Sequence, residues 1–173
     1  MIIRRELPGD EEAITRVHAD AFADAYPGGE PVEPGLVTAL RASAAWIPAL
    51  SLVAVRGGAV VGHVCCTRAT LGERAVPVLG LGPLGVVEEH KGSGVGSALA
   101  HAVIGAADAL DEPLIVLLGH PGYYPRFGFR PAAELDIRPE VAEWAPAFQA
   151  RPLTAYGPEM RGRFRYAAPF GDL

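Results

Sequence analysis

The most restrictive feature of this 173-residue chain is a succession of three unlike segments between about Leu79 and Leu110. An apolar stretch, Ala75 to Val87, carries breakers at Gly80, Gly82, Pro83 and Gly85. Glu88-Glu89-His90-Lys91-Gly92-Ser93-Gly94-Val95-Gly96-Ser97 follows. Beyond it, Val95, Leu99, Ala102, Val103, Ala106 and Leu110 keep one face of a helix apolar. The pattern predicts a long strand with a bulge or a close backbone approach, then a tight loop, then a helix. Gly92, Gly94 and Gly96 allow the loop to turn so that several amides face one concavity, and the helix adds the positive end of its dipole there. Such a loop binds anions, phosphate above all, and Lys91 at its lip adds a full charge. A glycine-rich strand-to-helix turn that binds nothing shares this local signature, so the wider pattern has to decide.

The remaining segments predict a mixed α/β chain of one domain spanning residues 1–173. Residues 2–5 read as a strand. Ala13, Ile14, Val17, Ala21 and Phe22 recur at helical spacing behind Asp10 as N-cap. Tyr26 to Pro34 is a loop, and a second helix is expected from Gly35 to Trp46, stopped by Pro48. Leu50–Val55 and Ala59–Thr70 form a hairpin around Arg56-Gly57-Gly58. Leu114–Leu118 reads as a strand buried on both faces. Two late strands are expected near Phe148–Pro152 and Phe164–Ala168, with Arg161, Arg163 and Arg165 alternating on a solvent side or protecting an edge.

Two common phosphate loops do not fit. A nucleotide-triphosphatase loop places its lysine after the glycines, whereas Lys91 precedes them. Gly80-Leu-Gly82-Pro-Leu-Gly85 matches a dinucleotide fingerprint in spelling, but no helix opens directly on it.

The segment Leu84-Gly-Val-Val-Glu-Glu-His-Lys91-Gly-Ser-Gly94-Val-Gly96-Ser97 resembles the acyl-CoA loop of the GNAT superfamily of N-acetyltransferases, [Q/R]xxGx[G/A], with lysine where Gln or Arg is usual. About 27 residues beyond Ser97, Tyr124-Pro-Arg-Phe-Gly128-Phe129 resembles that family's Y-x-x-x-G-F segment. The two motifs stand at the family's usual separation, and the element order matches over nearly the whole chain. Leu81–Val86 and Gly119–Phe129 are similar to a bacterial branch of small acetyltransferases with few assigned substrates. The asparagine frequent ahead of that Tyr has no counterpart here.

The resemblance implies a GNAT-like acyl-CoA N-acyltransferase fold: a central, mostly antiparallel sheet with a splayed parallel strand pair, flanked by helices. It implies acetyl-CoA as cosubstrate, without a metal. Backbone at Leu84, Gly85 and Val86 would pair with the pantetheine arm, and amides from Lys91 through Gly92, Ser93, Gly94, Val95 and Gly96 to Ser97 would hold the pyrophosphate. The Gly82-Pro83 bulge would free an N–H for the thioester carbonyl. An amine would attack directly, without an acyl-enzyme, so Cys65 and Cys66 are expected as packing residues on alternate faces. Tyr124 is the expected general acid toward the departing thiolate. His120, at the end of a buried strand, is the better-placed candidate base, since histidine is suited to proton transfer near neutral pH; His63 and a water chain are alternatives. A non-catalytic acyl-CoA-binding module and a nucleotide-binding regulator are the competing readings.

Composition bounds the partners. With 50% hydrophobic and 20% charged residues and a net charge of −5, neither a disordered chain nor a nucleic-acid binder is expected. No apolar run approaches the ~18 residues of a membrane span. The acidic start and the adjacent cysteines suggest a cytoplasmic protein. Residues 1–33 carry 8 acids against 3 bases, which suggests a mouth for cationic amines. The acceptor is expected to be a small-molecule or peptide amine; homodimers through the late strands are common in the family.

Overall fold

The computed structural model describes residues 1–172; Leu173, the last position of the expected domain, lies outside the described residues. Among the described residues, nine strands form the sheet: β1 (Ile2–Arg5), β2 (Trp46–Arg56), β3 (Ala59–Leu71), β4 (Val76–Val86), β5 (Leu114–Leu118), β6 (Arg130–Pro131), β7 (Ile137–Arg138), β8 (Phe148–Pro152) and β9 (Gly162–Arg165). Their order is β1-β2-β3-β4-β5-β8-β6, with β9 pairing β3 and β7. The helices are α1 (Glu11–Phe22), α2 (Glu33–Arg41) and α3 (Val95–Ala109). Most pairs are antiparallel; β4–β5 and β7–β9 are parallel. Among the described residues, no helix is long and apolar enough to cross a membrane.

The pleat of β3 decides which helix covers which face. Successive strand residues point to opposite sides. A side chain at Gly62 would meet Leu99 and Val95 of α3 at 2.9 and 3.0 Å, whereas the next residue, His63, meets His18 of α1. Cys65, on the His63 side, packs with Leu36 and Leu40 of α2. Both faces are therefore covered, and Cys65 and Cys66, on alternate faces as expected, are both fully buried. The hairpin turn forms as expected, with Gly57 and Gly58 both at positive φ, as a tight turn of the right twist requires.

Asp10 is the N-cap residue of α1, as expected, its carbonyl accepting the Ile14 N–H at 2.9 Å, while its carboxylate accepts the Leu7 N–H at 2.8 Å and pairs with Arg4 instead of capping the helix. Two local expectations are corrected. α2 ends at Arg41, not near Trp46, because Ser43 closes a turn on the Leu40 carbonyl and Trp46 joins the sheet opposite Thr67. Pro48 thus interrupts no helix. It sits in β2 where the register with β3 shifts between Trp46 and Ser51, a place that tolerates a missing N–H.

Candidate active site

β4 and β5 stay together only at Leu79–Ile115 and Gly80–Val116. Beyond this point β4 remains paired with β3 as far as Val86, while its other edge is left by β5. Val87 N–H donates to Val61 O at 3.0 Å. Antiparallel alternation then turns Gly85 toward β3, and the N–H and C=O of Leu84 and Val86 toward the open edge. The expected bulge is present: register passes from Val64–Leu84 to Cys66–Leu81, so Gly82 and Pro83 together oppose Cys65. The Cys65 thiol donates to the Gly82 carbonyl at 3.2 Å. Burial pushes both thiols up, so they stay neutral and serve as packing groups.

A cavity of about 390 Å³ opens along this edge, between the end of α1, β4 and the N-terminus of α3. Leu84, Gly85, Val86, Lys91, Gly92, Gly94, Gly96 and Ser97 line it. Of the remaining expected contacts, Ser93 closes a turn with its N–H and hydroxyl on His90 O, and the Val95 side chain is buried in the core. The Lys91 amide is engaged as well, donating to Glu88 O. The first helical amide with an intrahelical acceptor is Ala98, bonded to Gly94 O at 3.0 Å, so Val95, Gly96 and Ser97 present amides without helical partners. Gly94 stands at φ +87, a conformation glycine adopts without steric cost. A Cβ at Gly96 would lie 2.8 Å from Tyr123 Oη, so only a glycine leaves this wall open.

The cations of this cavity are arranged differently from the expectation. Lys91 Nζ donates to Ala21 O at 3.0 Å and pairs with Glu88, which ties the loop to the end of α1. Arg126 also lines the cavity, its guanidinium 4.9 Å from the Tyr123 ring centroid and its Nε donating to Tyr123 O.

A second cavity, about 540 Å³, shares Phe22, Leu84 and Tyr123 with the first and reaches the bulge at Gly82-Pro83. Tyr124 and His120 both line it. Tyr124 opens a 3-10 turn, Tyr124–Phe127, that Gly128 ends at φ +84. It packs over Gly119, where a Cβ would lie 2.4 Å from its Cε2. Burial is the main cause that pushes its phenol up to about 12, which keeps it protonated at neutral pH. His120 is exposed, and its Nδ1 accepts the Gly122 N–H at 3.1 Å. His63, the other histidine considered as a base, lies outside both cavities, fully buried and bonded to His18 and Ser51.

The rest of this cavity is apolar and aromatic, with Leu36, Leu118, Trp144, Tyr166 and Phe170 among its walls. Its acid is Glu33, whose Oε2 is buried without a hydrogen-bond partner while Oε1 faces Tyr26. Sequence reasoning did not single out Arg126, Glu33, Trp144, Tyr166 or Phe170 as site residues. Two had a signal: Arg126 lies inside the Tyr124–Phe129 motif, and Glu33 is one of the acids of residues 1–33 read as a mouth for cationic amines; the aromatics come from distant segments and had none.

The acetyltransferase (GNAT) domain family model matches residues 3–132. An uncharacterized N-acetyltransferase of Escherichia coli K12, YjhQ, is 35% identical over 166 residues, covering 92% of this chain and 88% of that one. The crystal structure of the Escherichia coli GNAT family protein YhbS in complex with CoA superposes with a TM-score of 0.87 at 28% identity, covering 98% of this chain and 91% of that one. A GNAT family acetyltransferase from Brucella melitensis, in complex with acetyl-CoA, gives 0.80 at 32% identity, covering 98% and 97%.

Proposed function

This chain belongs to the GNAT family of acetyltransferases, and from that premise we propose that it moves the acetyl group of acetyl-CoA directly to a primary amine within a ternary complex. The observation that carries this reading is the continuity of the two cavities along the free edge of β4. One is walled by unpartnered helix amides and cations, the other by aromatics around Tyr124, and they meet at Phe22, Leu84 and Tyr123. Relatives with bound CoA or acetyl-CoA support the choice of cosubstrate.

Acetyl-CoA supplies the activated thioester; the residues of the chain bind it and handle the proton transfers. The edges of Leu84 and Val86, beside Gly85, would receive the pantetheine amides as an added strand would. The amides at Gly92, Gly94, Val95, Gly96 and Ser97, with the charges of Lys91 and Arg126, would hold the diphosphate. The Leu84 N–H, next to the bulge, would polarise the thioester carbonyl, a donor worth ~3 kcal/mol of barrier in comparable sites. Tyr124 would give its proton to the departing sulfur, and His120 would accept the proton of the attacking amine. Glu33 and the apolar walls favour an acceptor that carries its ammonium group on an apolar body.

An acceptor panel with acetyl-CoA, followed by free-thiol release, tests the reading. Turnover of an amine that falls ~10²-fold or more in Tyr124→Phe, with CoA affinity retained, is the expected result. Unchanged turnover in that variant removes Tyr124 from the mechanism.

A further inference from the structure

The chain has fourteen arginines, and five of them, Arg74, Arg138, Arg161, Arg163 and Arg165, line one cleft of about 590 Å³ away from the two cavities described above. The cleft lies where the β3–β4 turn meets β7 and β9. Its floor is backbone against backbone. Gly72 N–H donates to Arg163 O at 2.9 Å, and a Cβ on Gly162 would lie 3.0 Å from Gly72 Cα. Both glycines stand at positive φ, +71 and +116, so this close approach requires glycine on both sides.

The charges are placed against local stability. Arg138 and Arg163 are register partners in the parallel β7–β9 pair, so two like-charged residues are direct cross-strand neighbours. Like charges so placed destabilise a sheet. Arg165 lies on the same face of β9 as Arg163, two residues on, and Arg161, just before the strand, also lines the cleft. Glu73 and Glu159 also line the cleft, and Asp136 lies in the adjoining hollow beside Arg138 and Arg161. Yet none of the five arginines forms an ion pair with an acid among the described residues. Arg4, Arg16, Arg41 and Arg68 do find acidic partners, although they do not stand in a group as the five of the cleft do.

We propose that this cleft binds a small ligand bearing several phosphate groups. Guanidinium forks match phosphate oxygens two at a time, and the cleft has the volume of a small-molecule site rather than the form of an extended basic stripe. Bound phosphate would relieve the Arg138–Arg163 repulsion, so the neighbouring charges become favourable only when the ligand is present. The site is independent of acetyl transfer: none of its residues lines either of the cavities along β4.

Calorimetric titration of the full chain with inorganic tripolyphosphate, with and without saturating CoA, tests this. ATP and orthophosphate serve as comparison arms, because the oligophosphate could be inorganic or part of a nucleotide. The expected result is one saturable site that survives CoA saturation and weakens roughly tenfold for each arginine removed in Arg138→Gln and Arg138→Gln/Arg163→Gln. Without ligand, Arg138→Gln should melt no lower than the parent chain, which separates lost binding from lost folding. Four results would each overturn the proposal: no saturable binding, binding unchanged in the double variant, orthophosphate binding as tightly as tripolyphosphate, or uptake of an oligonucleotide in preference to both oligophosphates.

Discussion

His18 Nε2 lies 2.8 Å from His63 Nδ1, with the two rings nearly perpendicular. The direction of that bond is set at the far end of a chain of contacts. Burial alone would raise Glu6, but the neighbouring His63 ring and hydrogen bonds from Arg41 and Ser51 hold it down at about 2, so it is an anion at neutral pH. Ser51 therefore donates to Glu6 and accepts from His63 Nε2, 2.9 Å away. His63 Nδ1 is left as an acceptor, and His18 Nε2 must carry the hydrogen between them. His18 Nδ1 ends the chain as a bare lone pair without a partner, 2.8 Å from where a Cβ on Gly85 would sit. One carboxylate thus orders two imidazoles beneath α1, on the strand residue that also borders the first cavity.

Both histidines are held neutral, chiefly because burial lowers their pKa. A base with a depressed folded pKa contributes stability above its ordinary value, and that stability is lost as pH falls below it. The melting temperature should therefore drop as pH falls from 6.5 toward 5, with a slope of at most roughly 1.4 kcal/mol per pH unit for each histidine. His63→Gln should flatten that dependence. A melting temperature level over this range in the parent chain would contradict the neutral pair.

Glu6→Gln removes the anion that orders the network and leaves the Arg41 guanidinium without its acid. The expected loss is roughly 3 kcal/mol in chemical denaturation at pH 7. Because the Glu6 pKa is depressed, the difference between parent and variant should shrink as pH falls below 4.5 toward 2.

Gly119→Ala places a methyl group where Tyr124 Cε2 would be only 2.4 Å away. The ring has to shift, and a displacement of that size at a reacting group can reduce turnover ~10²-fold. CoA affinity should stay within about threefold of the parent, since Gly119 lines the second cavity and not the first. Steady-state kinetics and a CoA titration on the same preparation separate the two effects.

Two glycines of α3 should respond in opposite ways to alanine. Gly105 faces open space, so Gly105→Ala should add about 0.5–1 kcal/mol through helix propensity alone. At Gly96 the new methyl meets Tyr123 Oη at 2.8 Å and narrows the amide-lined wall, so Gly96→Ala should weaken CoA binding by tenfold or more. Melting curves with and without CoA report both; equal CoA affinity in the two variants would remove Gly96 from the cavity's function.

The features legible in the sequence are those whose cause is local. Glycine spacing announces the turn into α3, apolar periodicity its buried face, Gly57-Gly58 the hairpin and Gly128 the end of the turn after Tyr124. Each depends on dihedral freedom or on a 2.0 or 3.6 residue period, which neighbouring residues determine among themselves. Tertiary structure decided everything that depends on register and on distant partners. It made Pro48 a bulge residue, turned Lys91 onto Ala21 and Glu88, brought Arg126 and Glu33 to the cavity walls, paired His18 with His63 across 45 positions, and placed Arg138 beside Arg163. These juxtapositions follow from which strands pair and how far one slides along another. That is settled by burial over the whole sheet, and no short stretch of residues encodes it.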